Sequence, residues 1–187
     1  MIYLWEHSEH YAYQYKALYN AERPAECFSF KKDRTLTYQE ALLFNLDLPQ
    51  SEITTKYDCI PNTSGLPLVN QKVMDLLLEL TPDEVQFFDT KIQCSDEVLT
   101  HYKLLNATHS FAKTSRAHSL ASIIHDDPDA FLGFRYLTYQ PECMGNLKLA
   151  RSDEYRTNLL VTADIKHAFE AHKIKGARFI EPTHYYC

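Results

Sequence analysis

Glycine is scarce in this chain: four residues in 187, Gly65, Gly133, Gly145 and Gly176. A phosphate-cradling loop needs closely spaced glycines so that backbone amides can face the anion, and these four are isolated from one another. A Walker loop and a dinucleotide fingerprint are thereby excluded, and neither a G-x-S-x-G elbow nor an H-E-x-x-H helix occurs. No apolar run approaches the ~18 residues needed to span a bilayer. The opening Met1-Ile2-Tyr3-Leu4-Trp5-Glu6-His7 lacks the basic and long apolar regions of a secretory leader. The five cysteines (Cys27, Cys59, Cys94, Cys143 and Cys187) are scattered, odd in number and without a C-x-x-C pair. Such a set reads as reduced thiols in a reducing compartment, so a cytoplasmic protein is expected, with no membrane contact.

What the chain does have is globular composition, with 45% hydrophobic and 24% charged residues. Its length suits one domain over 1–187 with a core that needs no staples. Tyrosine (13) and phenylalanine (10) are plentiful and serve cores and wet binding surfaces alike. The formal net charge of -6 argues against nucleic acid as a direct partner, because phosphate binding needs clustered lysine and arginine. It suits solubility and a basic protein partner.

Periodicity predicts an α+β fold: a mixed or antiparallel sheet, a few helices packed on it, and a closing strand-helix-strand unit. Met1–Trp5 reads as an opening strand, and Tyr11, Tyr13 and Tyr15 alternate with polar or small residues as in a half-exposed strand. Cys27–Lys31 reads as a strand too. Leu42, Leu43 and Leu46 could line a short helix that Pro49 stops. The stretch from Gln50 to Pro67, rich in turn residues, is expected to be a surface loop. Asn70 can cap a helix carrying Val73, Met74, Leu76, Leu77 and Leu80. Strands follow at Val85–Cys94, Val98–Leu105 and Phe134–Tyr139, with Leu120, Ile123 and Ile124 forming an apolar patch. Leu159-Leu160-Val161 is a buried strand. Thr162 can cap the next helix, and Asp164 favours its positive end. Ile165, Ala168, Phe169 and His172 share that helix's inner face, Lys173 and Lys175 complement its negative end, Gly176 permits the turn, and Ala177–Glu181 is a final strand.

Chemistry-bearing patterns are weak. His7 and His10, beside Glu6 and Glu9, have metal-ligand spacing but read as solvated surface histidines. His101, His109, His118 and His125 lie near no ligand motif and read as surface or hydrogen-bonded residues. A metal-dependent nuclease needs two carboxylates on a divalent cation and a nearby lysine. Pro128-Asp129 with Asp164-Ile165-Lys166, and Pro82-Asp83 with Asp89-Thr90-Lys91, offer that pattern only loosely. No Cys–His pair is singled out, and no catalytic residue, metal or cofactor is expected. Two partner-binding candidates remain. One is the acidic turn Asp126-Asp127-Pro128-Asp129, a ridge that could meet a basic surface; the other groups Glu6 and Glu9 with Tyr11 and Tyr13.

The C-terminal third carries a recognisable pattern: Gly145-Asn146-Leu147-Lys148-Leu149-Ala150-Arg151-Ser152-Asp153-Glu154-Tyr155, then Leu159-Leu160-Val161-Thr162, then Ile165-Lys166 with Ala168-Phe169-Glu170 and Ile174-Lys175-Gly176-Ala177-Arg178-Phe179-Ile180-Glu181. Upstream stand Ser64-Gly65-Leu66-Pro67-Leu68-Val69-Asn70 and Tyr102 with Leu104-Leu105-Asn106. Over about residues 60–181 the chain resembles a bacterial immunity-protein family named after a myxobacterial protein and long treated as a domain of unknown function; residues 1–60 are a variable part outside the resemblance. The resemblance implies an antitoxin in polymorphic-toxin or type VI secretion systems. Its partner would be a cognate toxin or effector in the cytosol, which it neutralises by protein-protein contact, and a nuclease with a basic surface fits the charge. The family brings no catalytic motif, so no site residue transfers. A generic interaction or regulatory domain is the alternative, and a metal-dependent nuclease or other hydrolase the second.

Overall fold

The structure is a computed structural model. It describes residues 1–7, 13–20, 35–37, 40–111, 120–124, 127–136, 139–140, 142–153 and 158–182, with the backbone alone for 120–124 and 127–136. Among the described residues, two sheets, a hairpin and three helices make an α+β fold of the expected class. The opening strand β1 (Ile2–His7) leads to a 3-10 turn at Tyr13–Tyr15 and then to β2 (Leu18–Tyr19), β3 (Leu42–Asn45), α1 (Gln50–Lys56), β4 (Cys59–Ile60), β5 (Leu68–Val69) and α2 (Gln71–Leu80). The long strand β6 (Val85–Gln93) precedes β7 (Val98–Leu99), β8 (Lys103–Ala107), β9 (Ser110–Phe111), β10 (Leu120–Ile124) and β11 (Asp127–Tyr136). β12 (Leu149–Ser152), β13 (Leu159–Thr162), α3 (Ala163–Ala171) and β14 (Ala177–Ile180) close the chain.

The first sheet has the order β14-β1-β13-β12-β9, and β1 is antiparallel to both its neighbours. β13 and β14 therefore run parallel, with β1 between them and α3 as the crossover, which is the expected strand-helix-strand unit with one strand inserted. The second sheet has the order β2-β3-β6-β8-β5-β4, with β7 also on β6. β6 is long enough to pair β8 with its first half and β3 with its second. The chain passes from one sheet to the other between β8 and β9, where the Thr108 N–H donates to the Glu84 carbonyl at 3.0 Å and the Arg151 N–H to the His109 carbonyl at 3.0 Å. The Glu84 carboxylate makes a second link, accepting from the Lys148 and Leu149 N–H groups at 2.9 and 2.6 Å.

Period-two alternation divides the apolar residues into three clusters. Leu42, Phe44, Ile60, Leu68, Phe88, Ile92 and Leu104 line the outer face of the second sheet, under Ile53 of α1. Val69, Val85, Leu105 and Ala107 on its other face join Trp5, Leu149, Leu159 and Val161 of the first sheet around α2 and α3. Leu4, Ala150 and Leu160 face the opposite way, under Tyr139, Cys143 and Met144. Trp5, Phe169 and Phe179 contact one another with centroids 5.0, 5.8 and 5.2 Å apart, which holds α3 on its sheet.

Several expectations change. Leu42–Asn45 is a strand because parallel pairing with β6 buries Leu42 and Phe44 while Leu43 faces out. Pro49 starts α1 rather than stopping a helix, its extended backbone occupying the N-cap position. The stretch from Gln50 to Pro67 is a helix, a strand and a buried turn. Asn62 makes burial of that turn affordable in polar terms: its Nδ2 donates to the Ile60 and Leu66 carbonyls, and its Oδ1 accepts from the Ser64 N–H and hydroxyl. Tyr13–Tyr15 is a 3-10 turn, not a strand. Val98–Leu105 divides into β7 and β8 around buried Tyr102, whose hydroxyl donates to the Tyr57 carbonyl at 2.6 Å. The patch at Leu120–Ile124 is a strand of the β10–β11 hairpin. Cys27–Lys31 lies outside the described residues.

The helix ends are only partly as expected. The Asn70 side chain accepts from the Val73 N–H at 3.2 Å, the predicted cap. Thr162 occupies the N-cap of α3 but makes no side-chain cap bond. His172 ends that helix exposed, instead of joining Ile165 and Phe169 inside, with its Nδ1 2.9 Å from the Ala168 carbonyl. Lys173 and Lys175 lie beyond its last turn; Lys175 serves the turn through its backbone. The Lys175 carbonyl accepts from the Asp58 and Cys59 N–H groups at 3.0 and 2.9 Å, and the Asp58 carboxylate accepts from the Lys175 N–H and Asn70 Nδ2, each at 2.8 Å.

Gly176, at φ +92, lies against this junction so closely that a Cβ would stand 2.1 Å from the Cys59 carbonyl oxygen. Gly145 also has positive φ, +57, but a Cβ there would meet nothing within 4 Å. Gly176→Ala should therefore cost about 3 kcal/mol, strain plus overpacking, and Gly145→Ala about 1 kcal/mol from strain alone. Urea unfolding followed by circular dichroism checks this; equal losses at the two sites would mean that the Cys59 contact does not constrain the fold.

Candidate binding surface

Glu6 and His7 are the last two residues of β1, and the sheet determines their surroundings. Glu6 pairs with Arg178 and His7 with Ala177 on β14. A recess of about 170 Å³ opens beside them, lined by Trp5, Glu6, His7, Gly65, Pro67 and Asn158. It lies where the end of the first sheet meets the turn before β5. Asn158 is 4% exposed, and its Nδ2 is buried with no hydrogen-bond partner.

Burial sets the charge state of the recess walls. The His7 imidazole is pushed down to about 4, first by desolvation and then by the charge of Lys16. The Glu6 carboxyl is raised by desolvation, partly offset by the Arg178 guanidinium. Both shifts disfavour the ionised form, so the surroundings favour uncharged polar groups. This corrects one expectation, since His7 is not a solvated histidine, and it shows Glu6, one of the partner-binding candidates, to be a half-buried strand residue. A strand with neighbours on both sides brings its last residues inside with it.

The segment after β1 returns to the same place. Ala17 forms a bridge with Asn62, its N–H donating to the Pro61 carbonyl at 2.8 Å and its carbonyl accepting from the Thr63 N–H at 3.0 Å. This sets the Tyr13–Tyr15 turn beside the Pro61–Pro67 segment. Tyr13 is 75% exposed there and Leu18 is 42% exposed. Tyr15 is committed inward: its hydroxyl bonds the Glu52 carboxylate and accepts from Lys56 Nζ, and its ring lies 5.8 Å from Tyr57. Exposed Tyr13 thus stands on the segment that follows β1, while Leu18 belongs to the open face of the second sheet, and an exposed aromatic of this kind suits docking of a protein.

The other sequence candidates fall elsewhere. Glu9, His10, Tyr11, Asp126, His118 and His125 lie outside the described residues. Asp127 and Asp129 belong to β11, where Asp127 pairs with Ile124, so most of the expected acidic turn is strand. Pairing with β10 extends the chain through Pro128, which two-stranded pairing tolerates because each strand has an edge. His101 and His109 are exposed, with His101 stacked 4.9 Å from Tyr102. Cys59, Cys94 and Cys143 are buried cysteines; burial raises the Cys59 thiol well above the ordinary range and shifts Cys94 in the same direction. In the nuclease-like patterns, Asp89 is tied to Lys103 at 2.6 Å, while Asp164 lies 3.9 Å from Lys148. Among the described residues, no group of three or more His, Cys, Asp or Glu could hold a metal ion, and no helix is long and apolar enough to cross a membrane.

Sequence reasoning missed Asn158 and Arg151. Arg151, 1% exposed, is buried in β12 between Leu159 and Ser110 of the neighbouring strands. An Arg-Ser-Asp run reads as surface, and only the strand register reveals its burial.

His7 predicts a pH dependence. Its unfolded pKa is near 6.5 and its folded value about 4, so the unfolded chain binds the proton first. Stability should fall as pH drops from about 6.5 and level off near 4, by on the order of 2–3 kcal/mol. Glu6 acts with the opposite sign: its raised value stabilises the fold at acid pH, a contribution lost as pH rises through it. Urea midpoints at pH 7 and pH 4.5 should differ less in His7→Gln than in the parent; an unchanged difference would show that His7 is not held neutral.

Comparison with known proteins gives no family: no family model matches the chain, and no curated protein matches it.

Proposed function

We propose that the protein is an immunity protein: it binds a toxic effector in the cytosol of the cell that makes both and neutralises it by occupying its surface. The observation that carries this reading is the recess at the end of β1, lined by Glu6, His7 and buried Asn158, whose Nδ2 has no hydrogen-bond partner; the Tyr13 ring stands exposed on the segment that follows β1. Exposed aromatic side chains anchor protein surfaces, and a concave recess on the same molecule adds shape to such a contact. The resemblance over residues 60–181 supports the same role, and the net charge of -6 favours an effector with a basic surface, such as a nuclease. Charge of this sign speeds encounter with a basic partner, while tight contact at the rim sets the residence time.

Co-expression with the product of the neighbouring effector gene, scored by pull-down and growth, tests the reading. The parent protein should restore growth, and Tyr13→Ala should weaken binding about tenfold, the loss of one aromatic anchor. Affinity should also decline from low to physiological ionic strength. Failure of the intact protein to restore growth would remove the immunity role. Unimpaired binding by an Asp126/Asp127/Asp129 triple alanine variant would remove the acidic segment from the interface.

A further inference from the structure

At its opposite end β1 borders a pocket of about 600 Å³. Ile2, Tyr139 and Met144 give it an apolar floor, and Tyr139 and Met144 are 7% and 5% exposed. The rim carries Glu142 and Glu181, both exposed, and they are the only charged side chains among the described lining residues. Glu142 stands at φ +58, a conformation uncommon outside glycine. A compact turn holds it there: the Cys143 N–H donates to the Gln140 carbonyl at 3.2 Å, Gly145 to Glu142 at 2.9 Å and Leu147 to Met144 at 2.9 Å. Buried Cys143 and Met144 anchor that turn in the core under β1. Gln140 and Thr162 are further polar residues of the wall, and the Thr162 hydroxyl is buried without a partner and caps no helix N–H.

A volume within the ~300–1,000 Å³ of ligand pockets, an apolar floor and an acidic rim complement a positive charge on an apolar stem. Lysine and arginine have that form, and the guanidinium can also stack on a tyrosine face. Resting on the reading of the protein as an effector inhibitor, we propose that this pocket receives a short effector segment in which a basic residue adjoins an apolar one. The apolar side chain packs on Ile2 and Met144, and the basic head reaches Glu142 and Glu181. The recess at the other end of β1 then makes a second, independent contact.

The probe is the blocked tripeptide acetyl-Leu-Arg-Leu-amide, with acetyl-Leu-Glu-Leu-amide as the charge-reversed control. Titration followed by methyl NMR should shift the Ile2 and Met144 signals saturably, with the arginine peptide bound at least ~10-fold more tightly than its control. The double variant Glu142→Lys/Glu181→Lys should lose the same factor while keeping the parent's circular-dichroism spectrum. Equal affinity for the two peptides, or shifts that avoid Ile2 and Met144, would overturn the proposal. The two readings fail separately. Full neutralisation of the effector by the double variant would remove the pocket and leave the immunity role; tight, charge-selective peptide binding without any neutralisation would do the reverse.

Discussion

The passage of the Lys175-Gly176 turn over Asp58 and Cys59 is the constraint on which the rest of the molecule depends. The Asp58 carboxylate and the Lys175 N–H meet across 117 positions of sequence, so closing this contact removes much chain entropy. Opposing that cost are several backbone and carboxylate hydrogen bonds concentrated at one point, and their geometry requires a residue without a side chain at 176. Once the turn is seated, β14 can lie against β1, and α3 can lie over Trp5 and Phe179. Asp58 also bonds Asn70, the cap of α2, so both helices of the central layer are positioned from the same carboxylate.

β1 inherits its role from this arrangement. It enters the sheet between two strands from the far end of the chain, so its residues alternate between two cores: Leu4 faces one and Trp5 the other. Alternation continues to the strand's last residues, where the apolar supply runs out and Glu6 and His7 occupy half-buried positions. Their opposite pKa shifts share the same first cause, desolvation, and each is what an ionisable group shows when it finishes a central strand. The recess is thus a consequence of topology, formed where a central strand stops and the buried turn from Pro61 to Pro67 crosses its end.

Local signals made part of this legible. The Asn70 cap and the leucines behind it specify α2, and Leu159-Leu160-Val161 followed by an amphipathic helix specifies the closing unit, because those patterns depend on residues close in sequence. The failures involve distant partners. Leu42, Leu43 and Leu46 suit a helix until parallel pairing with β6 selects the strand. The proline-rich stretch before Pro67 reads as exposed because sequence does not show that Asn62 will supply its polar partners. Glu6 and His7 read as surface for the same reason: their burial comes from Arg178, Asn158 and Pro67, remote along the chain. Tyr13, unlike Glu6, retains the exposure expected of it, and it does so in a 3-10 turn rather than in the strand its alternation suggested.

Sheet faces could not easily have held a binding site here. Both faces of the first sheet are covered, and the second sheet has one face in the outer cluster and much of the other in the central layer. On that latter face, Leu43 and Val98 remain 47% exposed and Leu18 42%, sharing the side of β2, β3 and β7 that carries Asn45 and Gln93. Flat, mixed surface of this kind provides area without a pocket, whereas the ends of β1 provide concavity with unsatisfied polar groups. Specific recognition draws more from the latter, since a buried group lacking a partner penalises every ligand that fails to supply one. The core therefore helps specify function indirectly: by covering most of the sheet faces, it leaves the strand ends as the places where shape and hydrogen-bonding need coincide.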